Sequence, residues 1–124
     1  MSLHKIMVVE DEEDIQKILQ LSLQQIAGFN VKTCSSGDEL LQEIDEFQPD
    51  LVLLDVMMEG MDGPSTLKKL REIGNTTPCI FLTAKSLPHE IEEFTQMGAI
   101  GVLSKPFNLA ELPEDIKKIW ASKI

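Results

Sequence analysis

The chain has 124 residues, enough for one hydrophobic core and too few for two cores joined by a linker. With 43% hydrophobic and 26% charged residues it has the make-up of an ordinary globular domain, and no apolar run approaches the roughly 18 residues of a membrane span. A formal net charge of −10 repels nucleic acid and anionic membranes, which sets both aside as direct partners and leaves a basic protein partner open.

Met1-Ser2-Leu3 lacks the basic start and long apolar stretch of a signal peptide, so a cytoplasmic location is the expected default. Residues 1–3 are expected to be in part a cloning remnant, with the domain over 4–124.

Lys5 to Val9 reads as a strand, ended by the acidic run Glu10-Asp11-Glu12-Glu13-Asp14. The acids open a helix, where its N-terminal dipole favours them. Its inward face is predicted to carry Ile15, Ile18, Leu19, Ser22, Leu23 and Ile26 before Gly28 caps it. Phe29 to Cys34 forms a second strand. Ser36 and Glu39 have capping-box spacing for a second helix with Leu40, Leu41, Ile44 and Phe47 inward. After a turn at Pro49-Asp50, Leu51-Val52-Leu53-Leu54 is a continuous apolar run, as in a strand covered on both faces, and it ends at Asp55.

A Gly60-Met61-Asp62-Gly63 loop leads to a third helix, with Pro64 at its first position, Leu67, Leu70 and Ile73 inward, and Gly74-Asn75 closing it. Cys79 to Leu82 is the fourth strand and ends at Thr83. Pro88 starts a fourth helix with Ile91, Phe94 and Met97 inward and Gly98 at its close. Ile100 to Leu103 is the fifth strand, followed by Lys105-Pro106. Asn108 and Glu111 resemble a cap for a last helix with Leu112, Ile116, Ile119 and Trp120 inward. Pro113 there demands a kink, or a restart with Pro113 as the first helical residue.

Strands alternating with helices in this way predict an α/β fold: a doubly wound five-stranded parallel sheet, order 2-1-3-4-5, with five helices on its two faces. That order opens a crevice beyond the carboxyl ends of the first and third strands. It also holds the second and fourth strands, with Cys34 and Cys79, three spacings or roughly 14 Å apart. A disulfide, limited to about 7 Å between Cα atoms, is disfavoured.

Glu10 and Asp11, Asp55, Thr83 and Lys105 all follow strands and face the same end of this sheet. Converging carboxylates repel and raise one another's pKa values unless a cation sits among them. Mg²⁺, which takes oxygen ligands and shares them with a phosphate, is the natural candidate. A carboxylate can serve as nucleophile, while the Thr83 hydroxyl and the Lys105 ammonium suit the oxygens of a phosphoryl group in transfer. Each residue alone has a plainer reading: Glu12, Glu13 and Asp14 as dipole partners, Asp55 as a turn residue, Lys105 as a solvated cation. Together the coincidences outweigh those readings. His4 and His89 have no ligand partner in sequence, and Glu59 and Lys85 are assigned to solvent-facing loops.

These residues resemble a response-regulator receiver domain of two-component signal transduction, of the chemotaxis-regulator type, over nearly the whole chain. The resemblance is carried by Glu10-Asp11 after an apolar strand, Leu53-Leu54-Asp55 followed by Met58 and Met61-Asp62-Gly63, Thr83-Ala84, and Lys105-Pro106. It implies a flavodoxin-like fold and a phosphorelay role rather than an enzyme acting on other molecules. Asp55 would accept a phosphoryl group from a sensor histidine kinase or phosphotransfer protein. Asp11, Asp55 and the backbone carbonyl of Met57 would ligate Mg²⁺, or Mn²⁺ in its place, with Glu10 acting through water. Thr83, Ala84 and Lys105 would contact the phosphoryl group and switch, and Pro106 would follow a cis peptide. A downstream protein, or an output domain absent from this sequence, would receive the signal.

Three positions depart from the family's usual pattern. Glu10 stands where an aspartate is more usual, Glu59 where a proline is common, and Val102 where many relatives carry an aromatic that reorients on phosphorylation. These positions bear on metal affinity, loop stiffness and the output route in turn. A phosphatase of the haloacid-dehalogenase type also uses a strand-end aspartate with Mg²⁺, but it needs an acid two residues on, where this chain has Met57. A flavin binder of the same fold needs a Ser/Thr/Gly-rich loop where five acids stand. A docking module keeping only the fold has no need of the full constellation.

Overall fold

A computed structural model describes residues 2–84 and 87–123. In chain order the elements are β1 (Lys5–Val9), α1 (Glu13–Gln20) running into a π-wound stretch (Leu21–Ile26), β2 (Asn30–Cys34), α2 (Gly37–Phe47) and β3 (Leu51–Asp55). There follow α3 (Gly63–Glu72), β4 (Cys79–Thr83), α4 (Pro88–Gln96), β5 (Gly101–Ser104) and α5 (Leu112–Lys123). All five strands are parallel in the order β2-β1-β3-β4-β5, as the alternation of elements predicts. Cys34 and Cys79 are buried free thiols on β2 and β4, with β1 and β3 between them.

Side chains alternate along each strand, so the two faces of the sheet build two separate cores. On one face Val8, Leu53 and Leu82 pack with Leu19, Leu23, Ile116 and Trp120 from α1, its π-wound end and α5. On the other, Val9, Leu54 and Phe81 pack with Leu40, Ile44, Leu67, Leu70 and Phe94 from α2, α3 and α4. Each such buried side chain contributes about 1.5–3 kcal/mol through removal from water. The helix α4 holds to the sheet chiefly through Phe94, whose ring meets Phe81 edge-on at 5.2 Å.

Five residues expected to face inward are instead exposed: Ile18, Ile26, Ile73, Ile91 and Met97. Ile26 is displaced by the π-winding, in which each residue advances less far around the axis, so the buried stripe slips past it. The bond from the Ala27 N–H to the Ser22 carbonyl, 3.2 Å, marks that wider turn. Ile73 and Met97 are cap residues beyond the last turns of α3 and α4, and Ile18 and Ile91 lie at the edges of their stripes.

Local signals are otherwise kept with small shifts. Ser36 Oγ accepts the Glu39 N–H at 3.1 Å, but the Glu39 carboxylate reaches past the cap to the Ser35 N–H at 2.9 Å. Asp62 caps α3 by accepting the Ser65 N–H at 2.8 Å, so Gly63 precedes Pro64 as the first helical residue. Before α5, Asn108 Oδ1 accepts the Ala110 N–H at 2.8 Å in a single turn. The helix then restarts at Leu112, one residue before Pro113.

Candidate functional site

The carboxyl ends of β1, β3, β4 and β5 deliver Glu10, Asp55, Thr83 and Lys105 to one rim of the sheet. Glu10, Asp55 and Thr83 are buried, at 1%, 3% and 1% exposure, while Asp11 is exposed. One oxygen from each of Glu10, Asp11 and Asp55 lies within 4.8 Å of the others. The Lys105 ammonium lies 2.9 Å from Asp55 Oδ1 and 3.1 Å from Glu10 Oε2, bridging the two buried acids. Its backbone N–H donates to the Thr83 carbonyl at 2.8 Å, so β4 fixes the point from which the side chain reaches back.

Burial pushes the Glu10 carboxyl up to about 7, and the Asp55 charge adds to the rise. The Glu12 N–H, donating to Glu10 Oε1 at 3.2 Å, and the Lys105 ammonium oppose it. For Lys105, burial pulls the other way, but the hydrogen bonds and charges of Asp55 and Glu10 outweigh it and hold the ammonium above its usual range.

Backbone contacts hold the surrounding loops. Asp11 Oδ2 accepts the Glu59 N–H at 2.9 Å, tying the loop after β1 to the loop after β3. Gln16 Nε2 donates to the Glu10 carbonyl at 3.0 Å and the Cys34 carbonyl at 3.1 Å. The Gly63 N–H donates to the Val56 carbonyl at 2.9 Å. A Cβ on Gly63 would collide with the Asp55 carbonyl, so glycine is required where α3 begins against the end of β3.

Met57 and Ala84 are exposed beside these strand ends, Met58 packs partly buried against the core on the α2, α3 and α4 face of the sheet, and the Lys105–Pro106 peptide is cis. Ile15, Ile18, Ala84, Lys105, Pro106 and Phe107 line a groove of about 360 Å³ next to the acids. Glu59 is exposed, as are His4 and His89, and Lys85 lies outside the described residues.

The donor set is all oxygen and three carboxylates strong, which fits a hard divalent cation such as Mg²⁺. Cys34, Glu39 and Glu43 also come within 4.8 Å of one another. There Glu43 is paired with Lys32 at 3.3 Å, and burial pushes the Cys34 thiol up to about 12, so it stays protonated and suits a cation poorly. The sequence does not predict the Glu10–Lys105 pair, because it directs both residues toward a ligand rather than toward each other. Opposite charges at the ends of β1 and β5 were the available signal.

Residues 6–117 match the sequence family described as response regulator receiver domain. The chain belongs to that family. This receiver is 37% identical over 115 residues to the alkaline phosphatase synthesis transcriptional regulatory protein PhoP of Bacillus subtilis, covering 93% of this chain and 48% of that protein. It is 41% identical over 108 residues to the transcriptional regulatory protein DltR of Streptococcus agalactiae, covering 87% and 48%. The receiver thus spans about half the length of these curated relatives.

Among solved structures, the chemotaxis response regulator CheY4 of Vibrio cholerae superposes with a TM-score of 0.86 at 30% identity, covering 95% of this chain and 99% of that one. The Thermotoga maritima response regulator TrrA, solved in complex with Mg²⁺-BeF, gives 0.79 at 32% identity, covering 94% and 99%. The receiver fold is the doubly wound sheet with the acids and the lysine at its carboxyl rim. Among the described residues no helix is long and apolar enough to cross a membrane.

Proposed function

We propose that Asp55 is the phosphoryl acceptor of this receiver and that Glu10, Asp11, Thr83, Ala84 and Lys105 serve its transfer. The observation that carries the reading is the cluster of three carboxylates within 4.8 Å, one of them paired at 2.9 Å with the Lys105 ammonium. An Asp55 oxygen attacks the phosphorus of a phosphohistidine on a kinase or phosphotransfer protein. The P–N bond breaks, a P–O bond forms, and the leaving imidazole nitrogen takes up a proton from water. Lys105 offers a charge to the phosphoryl oxygens, and the Thr83 hydroxyl and Ala84 N–H offer hydrogen bonds. Mg²⁺, or Mn²⁺ in its place, would be held by Asp11, Asp55 and the Met57 carbonyl, with Glu10 through water, and would offset the negative charge gathered there.

The chain in this reading takes part in its own phosphorylation rather than turning over other substrates. It works in the cytoplasm and passes the signal to a downstream protein or an attached output domain. Its net charge of −10 argues against direct contact with nucleic acid or an anionic membrane. The test is intact mass after incubation with acetyl phosphate, with and without Mg²⁺. One added phosphoryl group is expected only with the metal, and none in Asp55→Asn. Full labelling of that variant would remove the assignment.

A further inference from the structure

The two acids Glu10 and Asp11 are joined by a peptide group that lies past the end of β1, and it is held from α1. The last ladder bond runs from the Glu10 N–H to the Cys34 carbonyl at 3.0 Å. Beyond it, Asp11 belongs to no regular element and is exposed. Gln16, half-buried in the first turn of α1, sends its Nε2 to the Glu10 carbonyl at 3.0 Å and to the Cys34 carbonyl at 3.1 Å. The Ser35 hydroxyl oxygen accepts from the same nitrogen at 3.4 Å. The Glu10 carbonyl and the Asp11 nitrogen share one planar peptide, so holding the carbonyl also sets the direction in which the chain enters Asp11.

We infer that Gln16 is a positioning residue of the cation site: its side-chain amide locks the Glu10–Asp11 peptide so that the Asp11 carboxylate converges with those of Glu10 and Asp55. The inference rests on the reading of that cluster as a divalent-cation site. Both principal targets are carbonyl acceptors, which an NH₂ group with two donors can serve together. Methionine matches the length of glutamine with no donor at all. Lysine keeps the donors and adds a positive charge.

The test measures the Mg²⁺ dissociation constant by titration calorimetry on the whole chain for wild type, Gln16→Met and Gln16→Lys. Outer partners of metal ligands typically matter by about tenfold or more in affinity, and a tenfold loss is expected in Gln16→Met. Amide hydrogen exchange at Asp11 and Glu12 should quicken in that variant without added metal. At saturating Mg²⁺ its rate of labelling by acetyl phosphate should return to the wild-type value, since Gln16 touches neither phosphoryl group nor acceptor.

Gln16→Lys should regain most of the affinity, although its charge alone would repel a cation. That opposition of sign separates positioning from electrostatics. Wild-type affinity and exchange in Gln16→Met, or weaker binding in Gln16→Lys than in Gln16→Met, would overturn the inference. Should Gln16→Met fail to fold, Gln16→Lys decides alone, and a tenfold loss in it counts against the inference. A wild-type chain that binds no Mg²⁺ would instead remove the cation site itself.

Discussion

The Lys105 ammonium lies 2.9 Å from Asp55 Oδ1 and 3.1 Å from Glu10 Oε2, so one cation from β5 serves two buried carboxylates that end β3 and β1. Lys105→Ala would leave those acids facing each other without that charge. Unfolding in urea without divalent metal should show a loss of about 2 kcal/mol, less than for a fully buried pair because the lysine is partly solvated. Mg²⁺ should then bind at least as tightly as in wild type, since it no longer competes with the ammonium. A collapse of metal affinity in calorimetry would mean that Lys105 is structural.

Glu10 supplies a pH dependence whose sign is set by its raised pKa. The folded state holds the Glu10 proton up to about pH 7, whereas the unfolded chain releases it near 4.5. Between those values the folded state binds more protons, so the Glu10 contribution is full below about 4.5 and is lost as pH rises to about 7. Its size is at most about 3 kcal/mol from the linkage of pKa to free energy. Subtracting the pH–stability profile of Glu10→Gln from that of wild type, both without metal, should leave a fall across this window. A flat difference would count against the shift.

Gly63 stands where any Cβ meets the Asp55 backbone. Gly63→Ala should cost about 1–3 kcal/mol in urea unfolding, because backbone rather than a flexible side chain must give way. It should also slow phosphorylation by moving the loop after Asp55. Unchanged stability would show that the contact between α3 and the end of β3 tolerates a methyl group.

Cys34 and Cys79 are buried thiols pushed up to about 12 and about 11. Neither should react with a disulfide reagent at pH 8 on the folded protein, while both should react promptly in denaturant. Rapid native labelling of either would report local opening of β2 or β4.

Signal output is expected to run through the end of β4 rather than through Val102. Val102 is a β-branched side chain, stiff at χ1, half-buried against the α4 side of the sheet. Thr83 is buried at the rim, and its carbonyl holds Lys105. Comparing amide chemical shifts with and without a beryllofluoride mimic, Thr83→Ala should suppress most changes in residues 87–97. Val102→Ala should leave them mostly intact, and the reverse result would refute this route.

The sheet order, the strand ends and the rim residues were legible because each rests on a local pattern: apolar runs of strand length, glycines and prolines at turns, acids and a lysine after strands. Helix faces were less so. Periodicity places Ile26 on the buried stripe only if the helix keeps one pitch. The π-winding after Gln20 follows no residue pattern but coincides with a tertiary contact, the Ser22 hydroxyl donating to the Leu109 carbonyl at 2.7 Å. The Glu10–Lys105 pair was hidden for a related reason. Its partners come from strands separated by two others, and only the length of the lysine side chain closes the gap.

The π-wound end of α1 also makes the chain locally longer than its path requires. A π turn spends one more residue than an α turn on closing its hydrogen bond, so Leu21–Ile26 carry slack, and the slack lies at exposed Gln25 and Ile26. Excising Gln25 should let this stretch rewind as α-helix while Ser22 and Leu23 keep their burial. Excising a residue between Glu13 and Leu19 would instead turn Leu19 away from the core relative to the start of the helix. The first helix therefore has one place where its length can change without changing what it covers.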